Sequence, residues 1–394
     1  FARDAITLDY EHEAAMAALC RAQDARDAIC DRLLQQAAER WPRKWKALQP
    51  MPFRFASWVG YDMDGRTDIG WTTSLRYRLL EKAQRLTRYA EALRDADPAI
   101  ADKLARAASH TAEMARLFVA DLSNPADVSA VANALTADHP DKLVSLEPVI
   151  AELESEARSA DNDTARKLLV VAASMRADGL GMGWIHFRVN SSQLHNAIRH
   201  RIDPEGKLNL ASQAALVRMR EMLAEARPLK SNFAALAIES STAVRQFLAM
   251  AQILAHIDAD TPIRMLVAEC EQPTTVLTAL YFARLFGIDD KVDVSPLFET
   301  ETALEHGGRF LDALLAEPAY RAYAARRGRV CIQTGFSDAG RFVGQIPAAL
   351  AIERLQGRLA EAMTANGLTG VAALIFNTHG ESMGRGADYA EALE

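Results

Sequence analysis

Val292-Asp293-Val294-Ser295-Pro296-Leu297-Phe298 is a short β-branched run that stops at Glu299-Thr300. Two later segments repeat the design. Val330-Cys331-Ile332-Gln333-Thr334 runs into Gly335-Phe336-Ser337-Asp338, and Gly370-Val371-Ala372-Ala373-Leu374-Ile375-Phe376 runs into Asn377-Thr378-His379-Gly380. Runs of this length, bounded by Gly and Pro and separated by helical stretches, read as parallel strands. In a βα-barrel the chemistry collects at the C-terminal strand ends. Glu299, Asp338 and His379 occupy those ends.

Two further strands lie upstream. Trp184-Ile185-His186-Phe187-Arg188-Val189 alternates between glycines, and Ile263-Arg264-Met265-Leu266-Val267-Ala268 precedes a helix expected from Pro273 to Phe286. Other helices are expected at about 191–200, 209–225, 231–257, 301–316 and 341–365. Before residue 178 the pattern is helical: 10–42, then about 71–95, 98–122, 126–137, 146–159 and 162–177. A Gly/Pro-rich loop at 49–70 interrupts it. The expected fold is mostly α with α/β, a (βα)8-type (TIM-like) barrel elaborated by many helices. Residues 1–178 would form a helical block carrying the loop at 54–70, and 179–394 a partial α/β barrel.

The chain has 394 residues, 49% of them apolar, enough for a sizeable core. Its net charge is -7, with no basic stripe interleaved with aromatics, which argues against nucleic acid as a partner. No apolar run approaches the roughly 18 residues a membrane-spanning helix needs. The cysteines, Cys20, Cys30, Cys270 and Cys331, are scattered and form no CxxC pair, as in a cytosolic protein with reduced thiols. The surplus of long apolar helices suggests a homo-oligomer, a dimer or tetramer.

Glu299 and Asp338 are the sharpest chemical pair. Two carboxylates at adjacent strand ends suit Mg2+ or Mn2+, which take oxygen ligands and keep waters open for substrate. The competing reading makes Glu299 an N-terminal acid of the next helix and Asp338 part of a turn with Ser337 and Gly340. His379 and Arg385 share the segment His379-Gly380-Glu381-Ser382-Met383-Gly384-Arg385-Gly386, whose backbone can cradle an anion while the arginine clamps it. Asp62 and Asp64 alternate in Ser57-Trp58-Val59-Gly60-Tyr61-Asp62-Met63-Asp64-Gly65 but lack the glutamate of a calcium loop. His195 and His200 do not share a helix face, so they make no zinc pair.

Taken in order, these segments resemble the phosphoenolpyruvate carboxylase family. Residues 57–65 look like the family's SWMGGDRDGNP, Pro296-Leu297-Phe298-Glu299-Thr300 matches PLFET, residues 335–341 look like GYSDSAK, and residues 379–386 look like a shortened HGRGGSIGRGG. The resemblance covers essentially the whole chain and implies the middle portion of a longer protein, because the family's TAHPTE segment and its C-terminal region are not in the sequence. It implies metal-dependent carboxylation of phosphoenolpyruvate with bicarbonate to oxaloacetate and phosphate. Glu299 and Asp338 would be ligands to Mg2+ or Mn2+. His379, Arg341 and Arg385 would be catalytic, and Arg188, Asn190, Arg385, Asp62 and Asp64 would bind substrate.

The sequence also departs from the pattern. Met63 stands for the arginine of DRDG, and Arg341 for the lysine of SDSAK. Asn190 falls where DIRQES has its arginine, with Arg188 two residues away on the same strand face, and Glu381 falls at the first arginine of the glycine loop. The metal seat looks kept while the ring of positive charge looks depleted. These departures leave open two alternatives: a non-catalytic paralogue, and a metal-dependent lyase on another oxo acid.

Overall fold

The structure is a computed structural model. It describes residues 6–63, 66 and 68–378, with backbone alone at 336–338, 377 and 378. The chain divides into two compact units. The first comprises 1–186, 231–239 and 248–263, the second 187–230, 240–247 and 264–394.

In the first unit, α1 (Leu8–Arg40) starts at Thr7, whose hydroxyl accepts the Tyr10 N–H. Its buried positions, including Met16, Gln23, Arg26, Cys30, Leu34 and Ala37, recur at steps of three, four or seven, so one helix face is covered. Five more helices follow: α2 (Trp71–Leu93), α3 (Pro98–Leu117), α4 (Pro125–Thr136), α5 (Glu147–Ser159) and α6 (Asn162–Asp178). Asp97, Asn124 and Asp161 cap α3, α4 and α6 through their side chains, and Pro98 and Pro125 sit in the first turns. Leu34, Leu86, Leu93, Leu104, Leu153 and Leu168 belong to their common core.

A buried ionic cluster runs through this unit. Asp178 accepts from Arg26 at 2.7 and 2.8 Å and from Arg85 at 2.7 Å. Arg78 pairs with Asp258 and, at 3.0 Å, with Glu81, which also accepts from the Tyr61 hydroxyl at 3.0 Å. Lys82 donates to the Ile257 carbonyl at 2.8 Å, and burial pulls its pKa down to about 7.

Six strands, β1 (Ala56–Ser57), β2 (Trp184–Asn190), β3 (Ile263–Ala268), β4 (Val292–Phe298), β5 (Arg329–Gly335) and β6 (Ala372–Thr378), lie in chain order as a curled parallel half-barrel. β1 pairs with the start of β2, Ala56 opposite Trp184, and two residues are too few to have been expected from sequence. Every residue of β3 and β4 is buried, the pattern of strands covered on both faces.

The helices of the second unit are α7 (Ser191–Ile202), α8 (Gln213–Glu225), α11 (Pro273–Leu285), α12 (Glu301–Leu315), α13 (Pro318–Arg327), α14 (Phe336–Val343) and α15 (Gln345–Ala365). The helix expected over 231–257 is two, α9 (Phe233–Ile238) and α10 (Thr242–His256). Glu239 turns extended and Ser241 accepts the Val244 N–H at 3.4 Å. The helix expected over 341–365 is likewise two, parted at Gly344 with φ 90°. α13 was not anticipated. It begins with Pro318 and ends at Gly328 in the left-handed region, φ 69°. Its Tyr323 hydroxyl accepts the Val294 N–H and donates to the Val292 carbonyl, fastening α13 to β4.

Candidate active site

Register brings the strand-end residues together. β4 and β5 pair in parallel with Phe298 opposite Thr334, so the next step sets Glu299 beside Gly335. A Cβ on residue 335 would run into the Glu299 Cβ and lie 3.0 Å from its Cα, so only glycine lets the two strand ends close up. The helix cap after β4 is Thr300, whose hydroxyl accepts the Ala303 N–H at 3.1 Å. Glu299 is thus the last residue before the cap and does not itself cap α12.

Asp338 lies in the first turn of α14, three residues past Gly335, in a helix rather than in a free turn. Its side chain lies outside the described residues, as do His379, Arg385, Asp64 and Glu381 in full.

Arg188 leaves β2 near its end. Its Nη2 lies 3.3 Å from both carboxylate oxygens of Glu299, and the two side chains are 27% and 13% exposed. The structure therefore joins one expected metal ligand to one expected substrate-binding arginine. Asn190 is differently engaged. It is the N-cap of α7, its Oδ1 accepting from the Gln193 N–H at 2.9 Å and the Ser192 hydroxyl at 2.7 Å, with Gln193 completing the capping box. Arg341 is exposed in the last turn of α14.

Asp62 belongs to the first unit, where the loop after β1 is pinned from several sides. Gly60 takes φ +87°, and a Cβ there would strike the Tyr77 ring. The Gly60 carbonyl accepts the Ser74 hydroxyl at 2.6 Å, and Tyr61 is fully buried. Met63, at 5% exposure, packs as a core residue where the resemblance called for a cation. Sequence reasoning missed Gly335 as a site residue, although a glycine between a strand and Ser-Asp was a visible signal. It also missed the buried charges of α2, although Arg78, Glu81, Lys82 and Arg85 follow helical spacing.

Mg2+ or Mn2+ wants hard oxygen donors and keeps part of its water shell. Glu299 meets that chemistry with two oxygens in a partly open strand-end position. Among the described residues no group of three His, Cys, Asp or Glu side chains is arranged to hold a metal. Of the two expected metal ligands, Glu299 alone has a described side chain.

The fold is that of a mostly helical α/β protein with a curled parallel half-barrel, and Glu299 stands at the end of one of its strands. The sequence profile of phosphoenolpyruvate carboxylase matches residues 133–392, and the chain belongs to that family. It is 26% identical over 372 residues to a phosphoenolpyruvate carboxylase of Xanthomonas euvesicatoria pv. vesicatoria, covering 86% of this chain and 40% of the relative. A phosphoenolpyruvate carboxylase of Hahella chejuensis is 25% identical over 357 residues, covering 85% and 39%. One of Chromohalobacter salexigens is 26% identical over 406 residues, covering 92% and 42%. The chain thus spans about two fifths of the length of these relatives.

Proposed function

We propose that the protein carrying this chain catalyses the metal-dependent carboxylation of phosphoenolpyruvate. Bicarbonate attacks the phosphoryl group, the P–O bond to the enol oxygen breaks, and carboxyphosphate and the enolate form. Carboxyphosphate then releases phosphate and CO2, and the enolate carbon takes up the CO2 to give oxaloacetate. The observation that carries this reading is Glu299 set against Gly335 at neighbouring parallel strand ends, in a chain of this family.

Glu299 and Asp338 would hold Mg2+ or Mn2+. When bound, the metal supplies positive charge to orient the phosphoenolpyruvate oxygens and to offset charge on the enolate. Arg188 neutralises an anionic group of the substrate. By resemblance, Arg385 clamps the phosphate, Arg341 takes the place of the family lysine, and His379 stands beside the transferring group. On the same reading the six strands belong to a (βα)8 barrel, and the enzyme works in the cytoplasm as a homo-oligomer. Among the described residues no helix is long and apolar enough to cross a membrane.

The test is oxaloacetate formation from phosphoenolpyruvate and bicarbonate with Mg2+ or Mn2+, in wild type and in Asp338→Ala. Activity that falls at least about 100-fold in the variant supports the assignment; removing one electrostatic stabiliser of a transition state costs this much. A wild type that binds metal and forms no oxaloacetate refutes it.

A further inference from the structure

We propose that Gln333 reads bicarbonate at the Glu299 site: its amide pairs with the HO–C–O edge of bicarbonate and turns the remaining oxygen toward the strand ends. This rests on the reading of the site as a carboxylase centre and adds which side chain recognises the second substrate.

Strand geometry puts Gln333 inside the half-barrel. Phe298 faces the helix layer, its ring 5.6 Å from that of Phe310 in α12. Leu297 therefore points to the opposite, concave side, and Gln333 is its partner in the parallel register. Gly335, two residues on, turns the same side to the Glu299 Cβ, so Gln333 lies one strand step beneath Glu299. On the other flank β6 sets Phe376 opposite Gln333. The amide thus sits between two apolar neighbours. It is 6% exposed, and its Oε1 has no hydrogen-bond partner among the described residues. Ser295, two residues before Leu297 on the same face, is fully buried with its Oγ likewise unpartnered among them.

A buried amide without a partner is costly, and leucine or methionine would fill the space without that cost. The amide is useful there only if a bound molecule pairs with it. Whichever way it is turned, it offers one donor end and one acceptor end. Fully ionised phosphoenolpyruvate has no O–H or N–H to give the acceptor. Bicarbonate has one O–H beside an accepting oxygen, which matches both ends. Arg264 adds positive charge to the same interior. It is 3% exposed, and its guanidinium lies 5.9 Å from the centre of the Phe376 ring. That charge favours a small anion.

The test compares wild type, Gln333→Met and Gln333→Leu in the full-length protein. Gln333→Met should raise KM for bicarbonate about 10–100-fold, as expected for a lost hydrogen bond to a charged group, and leave KM for phosphoenolpyruvate within about 2-fold. Melting temperatures without phosphoenolpyruvate read binding without catalysis. Bicarbonate should raise that of wild type more than nitrate does, a planar three-oxygen anion with no O–H, and the preference should vanish in both variants. Unliganded melting temperatures control for folding and should be equal or higher in the variants. Gln333→Leu guards against a packing fault particular to methionine.

An unchanged KM for bicarbonate in a folded variant overturns the proposal, as does a rise shared equally by both substrates. So does a wild type that does not prefer bicarbonate to nitrate, or a preference that persists without the amide; water would then be the partner of Gln333. A protein that makes no oxaloacetate yet prefers bicarbonate through Gln333 would sink the carboxylase assignment and leave this inference standing.

Discussion

Asp178 and Glu299 both hold arginines, one in each unit, and they hold them differently. Asp178 is fully buried and takes Arg26 and Arg85 at 2.7–2.8 Å, with both guanidiniums almost wholly enclosed. Glu299 takes Arg188 at 3.3 Å with the Arg188 side chain 27% exposed. The first arrangement is a lock. Its charges lost their hydration on folding, and although Arg26 also meets Asp27 and Arg85 also meets Gln23, Asp178 is the carboxylate they share, so removing it leaves buried positive charge underpaired. The second is longer and only partly buried, so each of its charges gave up less hydration on folding. On the proposed function, burial and distance separate the charge that shapes the fold from the charge that serves the site.

The largest effect should come from breaking the lock. Asp178→Ala leaves Arg26 and Arg85 buried without their shared carboxylate. It should cost about 3–5 kcal/mol of stability, read by denaturant unfolding. A loss under about 1 kcal/mol would mean that water reaches the cluster and that the contrast is false.

Gly335→Ala comes next. Its Cβ has no room beside Glu299, so β4 and β5 must part at their ends. A stability loss of about 1–3 kcal/mol is expected, accompanied by weaker Mn2+ binding. Stability lost with Mn2+ affinity intact would separate the strand junction from the metal seat.

The smallest effect is a gain. Burial lowers the Lys82 pKa from 10.5 to about 7. Between those values the unfolded chain binds a proton that the folded chain does not, so this group makes stability rise with pH from about 7 to 10.5. Below about pH 7 its cost is full and constant. Lys82→Met removes that cost while leaving the Ile257 carbonyl without its donor. The net gain should be on the order of 1–2 kcal/mol at pH 7 and should fade toward pH 10.5. A gain that does not change with pH would mean Lys82 is not the titrating group.

Much of the fold was legible because its signals are local. Apolar spacing and caps gave α1 to α6, and β-branched runs between helices gave β2 to β6. The misses arose where a local cue was discounted or a distant partner decided. Ser240-Ser241-Thr242 was a cap signal inside an apolar stretch, and Pro318 with Gly328 marked the start and stop of α13. Nothing in the sequence singled out Arg26, Arg78 and Arg85. They are buried because Asp178 and Asp258 meet them from 93 to 180 residues away, which no periodicity reveals. At the site, Glu299 was legible through its strand end. Its contact with Arg188, across 111 residues, and its need for Gly335 depend on register, which the sequence does not display.

The most direct measurement is a paired one on Glu299→Gln: Mn2+ affinity and unfolding free energy, each beside wild type. The account predicts that Mn2+ affinity falls at least about 100-fold, as expected when a charged ligand becomes neutral. Stability should change by less than about 1 kcal/mol. Mn2+ affinity left unchanged, or a stability loss as large as that of Asp178→Ala, would contradict the claim that Glu299 serves the site and not the fold.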